Sequence, residues 1–285
     1  MKTPRGLQPL IEEGVIDRVV RSLKSGKEAS VYLVESGSTV RCAKVYKQAH
    51  QRGFQKLAQY QEGRKARRSR DQRAGGRGHY GRKQSEEAWK NAEVDALYRL
   101  AGAGVRVPAP AGYFSGVLLM DLIVDDEGLP APRLNEVTLS EALAVEYHGH
   151  MMREIVRMLC AGLIHGDLSE FNVLLAADGP VIIDLPQAVE AASNNNAFAM
   201  LARDVENVTV YFGRFAPALR DSRFALEIWH LYQHALLRPD TELTGQFESD
   251  EPGADVEAVM AQIQEARREA EIRQAGREAA AERDD

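Results

Sequence analysis

Apolar residues recur at two different spacings in the N-terminal part of the chain. Apolar positions between Val31 and Val45 predict two β-strands, joined by a turn at the Ser-Gly-Ser sequence of residues 36–38. Residues 6–22 carry apolar side chains at helical spacing instead and predict an amphipathic N-terminal helix, with a break at Gly14. The chain therefore begins with mixed α and β elements.

Helical periodicity is more frequent further along the chain. It predicts an amphipathic helix over residues 86–100 and a long helix from Ser140 to Cys160. Asparagine side chains can cap helices, so residues 194–196 are expected to begin another one. Residues 222–237 predict a last packed helix, and residues 250–285 a charged tail that docks in part or binds a partner. The expected core positions of the long helix are Ala142, Leu143, Val145, Met151, Ile155, Val156 and Leu159.

Three polar residues with the spacing of a phosphoryl-transfer site follow the long helix. Asn172 comes five positions after Asp167, and Asp184 follows a short apolar stretch. In kinase-type transfer, the first aspartate orients the attacking hydroxyl, while the asparagine and the second aspartate offer oxygens to magnesium. Taken alone, these residues could also lie in ordinary turns. We expect a loop with Asp167 and Asn172, then a β-hairpin that ends at Asp184.

A nucleotide-binding lobe is expected upstream of these residues. Gly26, between Ser25 and Lys27, lies in the loop before the first predicted strand, where the backbone can approach phosphates closely. Lys44 lies among apolar residues of the next strand and therefore needs a partner. Glu93 falls on the inner face of the helix over residues 86–100 and would form the ion pair that positions phosphates. Each residue taken singly could instead be solvated.

Residues 52–83 form a strongly basic segment. They contain eleven lysines and arginines against two acidic residues, whereas the whole chain has a net charge of −6. Glycines interrupt any helix and apolar residues are sparse, so we expect disorder or ordering on binding. Interspersed aromatic residues could stack on bases, which favours an arm for rRNA or a ribosomal particle. A solvated flexible loop near the nucleotide site explains the same composition.

Cysteine content and hydropathy exclude several other classes of protein. The chain of 285 residues has two cysteines, Cys42 and Cys160, which offer neither a disulfide framework nor a metal-binding spacing. The N-terminus has no apolar run of signal-peptide type, and Asp121 interrupts the longest apolar stretch. We therefore expect no contact with a membrane and a location in the reducing cytoplasm.

Several motifs in a fixed order resemble the RIO family of atypical kinases, most closely its first, bacterial-like subfamily. The resemblance covers roughly residues 7–235. The motifs are Pro9-Leu-Ile-Glu-Glu-Gly-Val-Ile-Asp17, Leu23-Lys-Ser-Gly-Lys-Glu-Ala-Ser-Val-Tyr32, Ala43-Lys44, Ala92-Glu93, Leu119-Met-Asp-Leu-Ile123, Gly128-Leu-Pro-Ala-Pro132, His165-Gly-Asp-Leu-Ser-Glu-Phe-Asn172 and Ile182-Ile-Asp184.

The resemblance implies an α+β, bilobal protein-kinase-like fold of the compact RIO type, which lacks the peptide-substrate platform of ordinary kinases. On this basis residues 1–22 would form an N-terminal helical extension and residues 23–120 an N-lobe with the nucleotide loop. Residues 121–240 would form a C-lobe with the hinge, catalytic loop and metal loop, followed by a charged, helical or partly disordered tail over residues 241–285.

The resemblance also implies a role for each candidate site residue. Asp167 would be the catalytic aspartate, Asn172 and Asp184 would hold Mg²⁺, with Mn²⁺ as an alternative, and Lys44 with Glu93 would position ATP. Asp184 is in addition a candidate site for an aspartyl-phosphate. Further ATP contacts would come from the loop residues Ser25, Gly26 and Lys27 and from the hinge residues Met120, Asp121 and Ile123.

Together these observations predict an ATP- and Mg²⁺-dependent kinase that phosphorylates serine or threonine of proteins, including itself. Two alternatives remain open from the sequence. One is an ATPase switch in ribosome maturation, and the other is a small-molecule phosphotransferase, since such enzymes also use a His-Gly-Asp loop. The sequence does not identify the protein substrate.

Overall fold

A computed structural model describes residues 3–26, 28–47, 92–247 and several positions between 261 and 272. The basic segment over residues 52–83 and the predicted loop residue Lys27 lie outside the described residues. So does the first part of the helix predicted over residues 86–100. Among the described residues, no helix is long and apolar enough to cross a membrane.

The smaller lobe is built on a five-stranded antiparallel sheet with the order β1-β2-β3-β5-β4. Its strands are β1 (Arg18–Ser25), β2 (Ala29–Ser36), β3 (Thr39–Tyr46), β4 (Pro110–Phe114) and β5 (Val117–Asp121). The turn predicted at residues 36–38 joins β2 to β3, and Gly37 adopts a φ of 62° there. The two strands predicted from alternation are thus confirmed.

The N-terminal segment is not the helix predicted over residues 6–22. Helix α1 spans only Gln8–Glu12, and Gly14 follows it with a φ of 70°. The chain then enters β1 and pairs along β2, so the second half of the predicted helical extension belongs to the sheet. The β-branched pair Val19 and Val20 fits a strand better than a helix. Hydrogen bonds to β2 add to this preference and stabilise the strand.

The apolar residues of this segment nevertheless pack as a unit. Leu7, Leu10 and Ile16 are buried against the sheet. They form a cluster with Val34, Ala43, Val117 and Leu119. The sequence pattern therefore identified three buried positions, although it assigned the wrong secondary structure to part of the segment, and the apolar Val20 is exposed.

Two helices continue the chain around the sheet. Helix α2 covers the described residues 92–102, and helix α3 spans Glu141–Cys160 with Ser140 as its N-cap. The Leu143 N–H donates to the Ser140 side chain, as expected of a serine cap. The predicted core positions Met151, Ile155, Val156 and Leu159 are buried. Ala142, Leu143 and Val145 are exposed instead, because the first two turns of α3 present Ala144 and His148 to the core.

Short strands carry the polar motif of the larger lobe. Strand β6 (Leu163–Ile164) pairs with β9 (Val189–Glu190). Between them, β7 (Val173–Ala176) and β8 (Gly179–Ile182) form an antiparallel hairpin. This is the hairpin expected between the catalytic loop and Asp184.

The last helices cover the larger lobe. Helix α4 spans Ala197–Phe212 and helix α5 spans Phe224–Gln233, shorter than the predicted 222–237. Asn196 caps α4 without a side-chain hydrogen bond, while the Asn194 side chain accepts one from the Asn196 N–H. Helical positions of the tail dock on α4, where Arg267 Nε lies 2.8 Å from Glu206 Oε2.

The main apolar core extends through both lobes. Val94, Leu97 and Leu100 of α2 pack in the same cluster as Leu159 and Ile164 of the larger lobe. The mixed sheet-and-helix architecture confirms the predicted α+β fold of the compact kinase-like type. The cleft between the sheet and the β7–β8 hairpin collects the polar residues of the predicted motifs.

Candidate active site

Lys44 is the centre of an ion-pair cluster between the two lobes. It lies on β3, and its Nζ lies 2.5 Å from Glu93 Oε1 of α2 and 2.8 Å from Asp184 Oδ1 after β8. The side chains of Lys44 and Glu93 are 13% and 4% exposed, so the pair is largely shielded from solvent. The structure thus contains the lysine–glutamate pair expected from the sequence and adds Asp184 as a second partner of the lysine.

These contacts shift two pKa values in opposite directions. Burial alone would lower the pKa of Lys44, but the adjacent Glu93 and Asp184 carboxylates raise it above its ordinary value. Burial alone would raise the pKa of Asp184, but the charge and hydrogen bond of Lys44 lower it. Lys44 therefore stays a cation and Asp184 stays an anion at neutral pH, as phosphate and metal binding require.

Asp167 and Asn172 lie on the loop between β6 and β7. Asn172 Nδ2 donates to the Asp167 backbone carbonyl at 2.9 Å, so the amide oxygen of Asn172 faces away from that carbonyl. The Ile183 N–H donates to the Asn172 backbone carbonyl at 2.9 Å, which holds the residue before Asp184 beside the loop. The three residues of the predicted motif are therefore brought together.

The backbone at Asp184 has an unusual conformation. Its φ of 67° lies in the left-handed region, which costs free energy for a residue other than glycine and is common at functional sites. His165 helps to fix the preceding residue. Because its Nδ1 accepts from the Asp167 N–H, its Nε2 carries the proton that is donated to the Ile183 carbonyl at 3.1 Å. Asp184 is thereby held where its carboxylate meets Lys44.

A buried carboxylate on α4 holds the catalytic loop, and the sequence analysis missed it. Asp204 Oδ2 and Oδ1 accept hydrogen bonds of 2.8 Å from the backbone N–H groups of Gly166 and Leu168. Asn207, one turn further along α4, donates to the Leu168 carbonyl at 2.8 Å. Burial raises the pKa of Asp204, while its hydrogen bonds and nearby His165 oppose that rise. A signal was present, since both polar residues interrupt an otherwise apolar helix face.

Gln187 is a second residue that the sequence analysis did not identify. Its Nε2 donates to Asp167 Oδ2 at 3.1 Å, and its Oε1 is buried. It follows Asp184 by three positions, so a single short segment contains both Asp184 and a hydrogen-bond donor to Asp167. Its position shortly after Asp184, the predicted metal ligand, was the one sequence feature that could have indicated a place in the site.

The predicted nucleotide loop connects β1 to β2. Ser25 ends β1, and the Gly26 N–H donates to the Ala29 carbonyl at 2.9 Å. Lys47, which the sequence analysis did not select, reaches this loop from the end of β3. Its Nζ lies 2.6 Å from the Gly26 carbonyl and 3.2 Å from Ser25 Oγ. The loop is therefore tethered to the end of β3, the strand that carries Lys44.

The predicted hinge follows β5 directly. Met120 and Asp121 end that strand, and the Asp121 N–H donates to the Ala109 carbonyl at 2.9 Å. The Ile123 carbonyl accepts a hydrogen bond of 3.0 Å from the Ala131 N–H. These two hydrogen bonds fix the backbone of the predicted hinge.

The donor set fits a cation that is shared with phosphates. Asn172 and Asp184 offer hard amide and carboxylate oxygens, which suit Mg²⁺ or a similar ion. The described residues contain no group of three or more His, Cys, Asp or Glu able to hold a metal by themselves. A site with two protein ligands, completed by phosphate oxygens and water, is the arrangement that nucleotide-dependent enzymes use.

The sheet, the lysine–glutamate pair and the Asp167–Asn172–Asp184 group define a protein-kinase-like phosphotransferase. Comparison with known proteins narrows this class. The family model described as RIO domain matches residues 30–224. The chain belongs to the RIO family of atypical kinases.

Individual relatives agree with this assignment. The RIO-type serine/threonine-protein kinase Rio1 of Haloferax volcanii is 37% identical over 209 residues, covering 72% of this chain and 67% of that protein. The serine/threonine-protein kinase RIO1 of Homo sapiens is 31% identical over 257 residues, covering 85% of this chain and 42% of that protein. The Rio1 kinase of Methanocaldococcus jannaschii is 33% identical over 194 residues, covering 67% of this chain and 62% of that protein.

The chain thus spans between 42% and 67% of the length of these relatives. Their names confirm the prediction of a RIO-type serine/threonine kinase. They do not favour the two alternatives, an ATPase switch and a small-molecule phosphotransferase.

Proposed function

We propose that this chain transfers the γ-phosphate of ATP to serine or threonine hydroxyls of proteins, including its own, with Asp167 as the catalytic aspartate. The observation that carries the proposal is the meeting of Lys44, Glu93 and Asp184 in one ion-pair cluster next to the Asp167 loop. Few arrangements other than phosphoryl transfer use a strand lysine, a helix glutamate and a metal-type aspartate together.

Each lobe contributes one half of the chemistry. On the smaller lobe, Lys44 binds the α- and β-phosphates, and Ser25, Gly26 and Lys27 cover them from the β1–β2 loop. The hinge at Met120, Asp121 and Ile123 binds adenine through the Asp121 carbonyl and the Ile123 N–H. On the larger lobe, Asp167 orients the acceptor hydroxyl and takes its proton as the phosphoryl group moves.

Asn172 and Asp184 hold the cation, for which we propose Mg²⁺, with Mn²⁺ as a substitute. When bound, the cation neutralises charge on the phosphate oxygens. Because Asp184 is paired with Lys44 in this structure, the lysine must share or release it as nucleotide enters. Removal of the divalent cation with a chelator is therefore expected to abolish transfer, and added Mg²⁺ or Mn²⁺ to restore it.

The test follows label from γ-labelled ATP with the wild type, Asp167→Asn, Asp184→Asn and the exposed control Asp240→Asn. Label on protein and label released as phosphate are measured separately, and the protein-bound part is treated with acid and with hydroxylamine. We expect acid-stable label on serine or threonine in the wild type and in Asp240→Asn. Asp167→Asn should lower it by about a hundredfold or more.

Two results would contradict the proposal. Turnover that is unchanged in Asp167→Asn removes Asp167 from the catalytic role. Label that hydroxylamine removes, together with steady phosphate release, indicates an aspartyl-phosphate cycle at Asp184.

Two further predictions are independent of this test. One is that residues 52–83 bind rRNA or a ribosomal particle, and the other is a cytoplasmic location.

A further inference from the structure

Gln187 contacts the proposed catalytic aspartate. Its Nε2 lies 3.1 Å from Asp167 Oδ2. Its Oε1 is buried and has no hydrogen-bond partner among the described residues. The orientation of the amide follows from chemistry, because an ionised carboxylate only accepts hydrogen bonds and the amide nitrogen must therefore face it.

The backbone that carries Gln187 leaves its side chain little freedom. Leu185 is buried, Pro186 fixes its own φ, and the Ala188 N–H donates to the Leu185 carbonyl at 3.1 Å. Ala188 and Val189 are buried immediately afterwards. The segment is thus anchored on both sides of Gln187, so the amide is presented to Asp167 from a fixed backbone.

The amide nitrogen has a charged partner, because Nε2 donates to the Asp167 carboxylate. Hydrogen bonds to charged groups are stronger than those between neutral groups. Gln187 is therefore able to hold one oxygen of this carboxylate in place.

We propose that Gln187 positions Asp167 for catalysis. This inference rests on the proposed function of Asp167. Nε2 holds Oδ2, so the carboxylate meets the reacting hydroxyl in a fixed orientation.

The sharpest test uses Gln187→Met and Gln187→Glu, with the exposed Gln233→Glu as the matched control. Methionine keeps the length of the side chain and removes both polar ends. We expect it to lower the kcat of autophosphorylation by about tenfold to a hundredfold, since small misplacements of reacting groups have effects of this size. The KM for ATP and the melting temperature should stay near those of the wild type.

The pH profile of kcat in Gln187→Glu distinguishes a positioning role from a loss of packing, because a loss of packing alone would not change that profile. Two carboxylates in contact repel each other, so one of them takes up a proton at a higher pH than usual. The protonated glutamate can donate to Asp167 as the amide does. The variant should therefore be least active where both groups are ionised and should regain part of its activity as pH falls. Gln233→Glu should follow the wild-type profile throughout.

Defined outcomes overturn the inference. A wild-type kcat in Gln187→Met, or an unshifted profile in Gln187→Glu, removes Gln187 from the positioning role. If Gln187→Met loses its fold or its ATP affinity, the pH profile of Gln187→Glu decides whether Gln187 has the positioning role. Activity that survives Asp167→Asn rejects the proposed function itself, whereas an inactive Asp167→Asn beside a fully active Gln187→Met rejects only the role of Gln187.

Discussion

The carboxylate of Asp204 binds the backbone of Gly166, the residue just before the proposed catalytic aspartate, at 2.8 Å. The other oxygen of the same carboxylate binds the Leu168 N–H, so Asp204 holds the backbone on both sides of Asp167. Helix α4 thereby fixes the catalytic loop without contributing a reacting group. Substitutions on this helix should change the rate of transfer while leaving the nucleotide-binding lobe intact.

Asp204→Asn tests this relationship. An asparagine keeps one acceptor oxygen, but its amide nitrogen must face one of the two N–H donors, and one hydrogen bond to a charged group is lost. Such a loss costs about 1–3 kcal/mol, and we expect kcat to fall at least tenfold. The affinity for ATP, measured by calorimetry, should change little. The exposed Asp240→Asn is the control, and an unchanged kcat in Asp204→Asn contradicts the expectation.

Lys44→Met tests the buried ion pair by its effect on stability. The substitution leaves the Glu93 carboxylate, which is 4% exposed, without its cationic partner. Breaking a buried pair in this way costs about 3–5 kcal/mol, to be measured by urea denaturation. The double variant Lys44→Met, Glu93→Gln should recover part of the loss because no buried charge remains. A double variant less stable than Lys44→Met would contradict this reasoning.

The sequence predicted those parts of the site whose residues lie close together in the chain. Asp167, Asn172 and Asp184 share one loop and one hairpin, and their spacing alone indicated how they would meet. Lys44 and Glu93 are further apart, but each had a local signal, a charge in an apolar pattern. Gln187 has no comparable pattern, because its role arises from a side-chain contact that only the folded turn after Asp184 creates.

The predictions that were wrong, for residues 18–25 and for the start of α3, also have specific physical causes. Residues 18–25 carry apolar side chains at a spacing that both a helix and an irregular strand can satisfy, and pairing with β2 decides the outcome. The two register shifts in that pairing also explain why strict alternation is missing from β1. In α3, Leu143 and Val145 are apolar yet exposed, and periodicity alone could not tell which face of the first turn meets the core.

Arg267→Ala tests whether the docked tail stabilises the larger lobe. Glu206 is 3% exposed and its pKa is raised by burial, while Arg267 opposes that rise. Without Arg267 the carboxylate loses a charged hydrogen-bond partner, and unfolding should become easier by about 1–3 kcal/mol. Thermal denaturation measures the change, with the neighbouring exposed Arg268→Ala as the control. Glu206→Gln added to Arg267→Ala should restore part of the stability.

His148 should make stability depend on pH. Burial lowers its pKa to about 4, from an ordinary value of 6.5. The unfolded chain therefore binds a proton between these values that the folded protein does not, so stability is complete above the higher value and decreases as pH falls towards the lower one. The loss is about 3 kcal/mol over this window.

His148→Gln checks this expectation, since glutamine is neutral throughout and can still reach Thr209, the present partner of the imidazole. Urea denaturation across the window should give a shallower pH dependence for the variant than for the wild type. The exposed His234→Gln should leave the dependence unchanged. Equal slopes for His148→Gln and wild type would show that other groups cause it.

The apolar core that runs through both lobes has a consequence for control of the enzyme. Glu93 stands on α2, and the same helix sends Leu97 and Leu100 into contact with residues of the larger lobe. A kinase that is switched off by swinging this helix outward must separate the glutamate from its lysine. Here that motion would pull two leucines from a shared interior. Separating this ion pair by an outward movement of α2 would therefore also expose apolar surface to water.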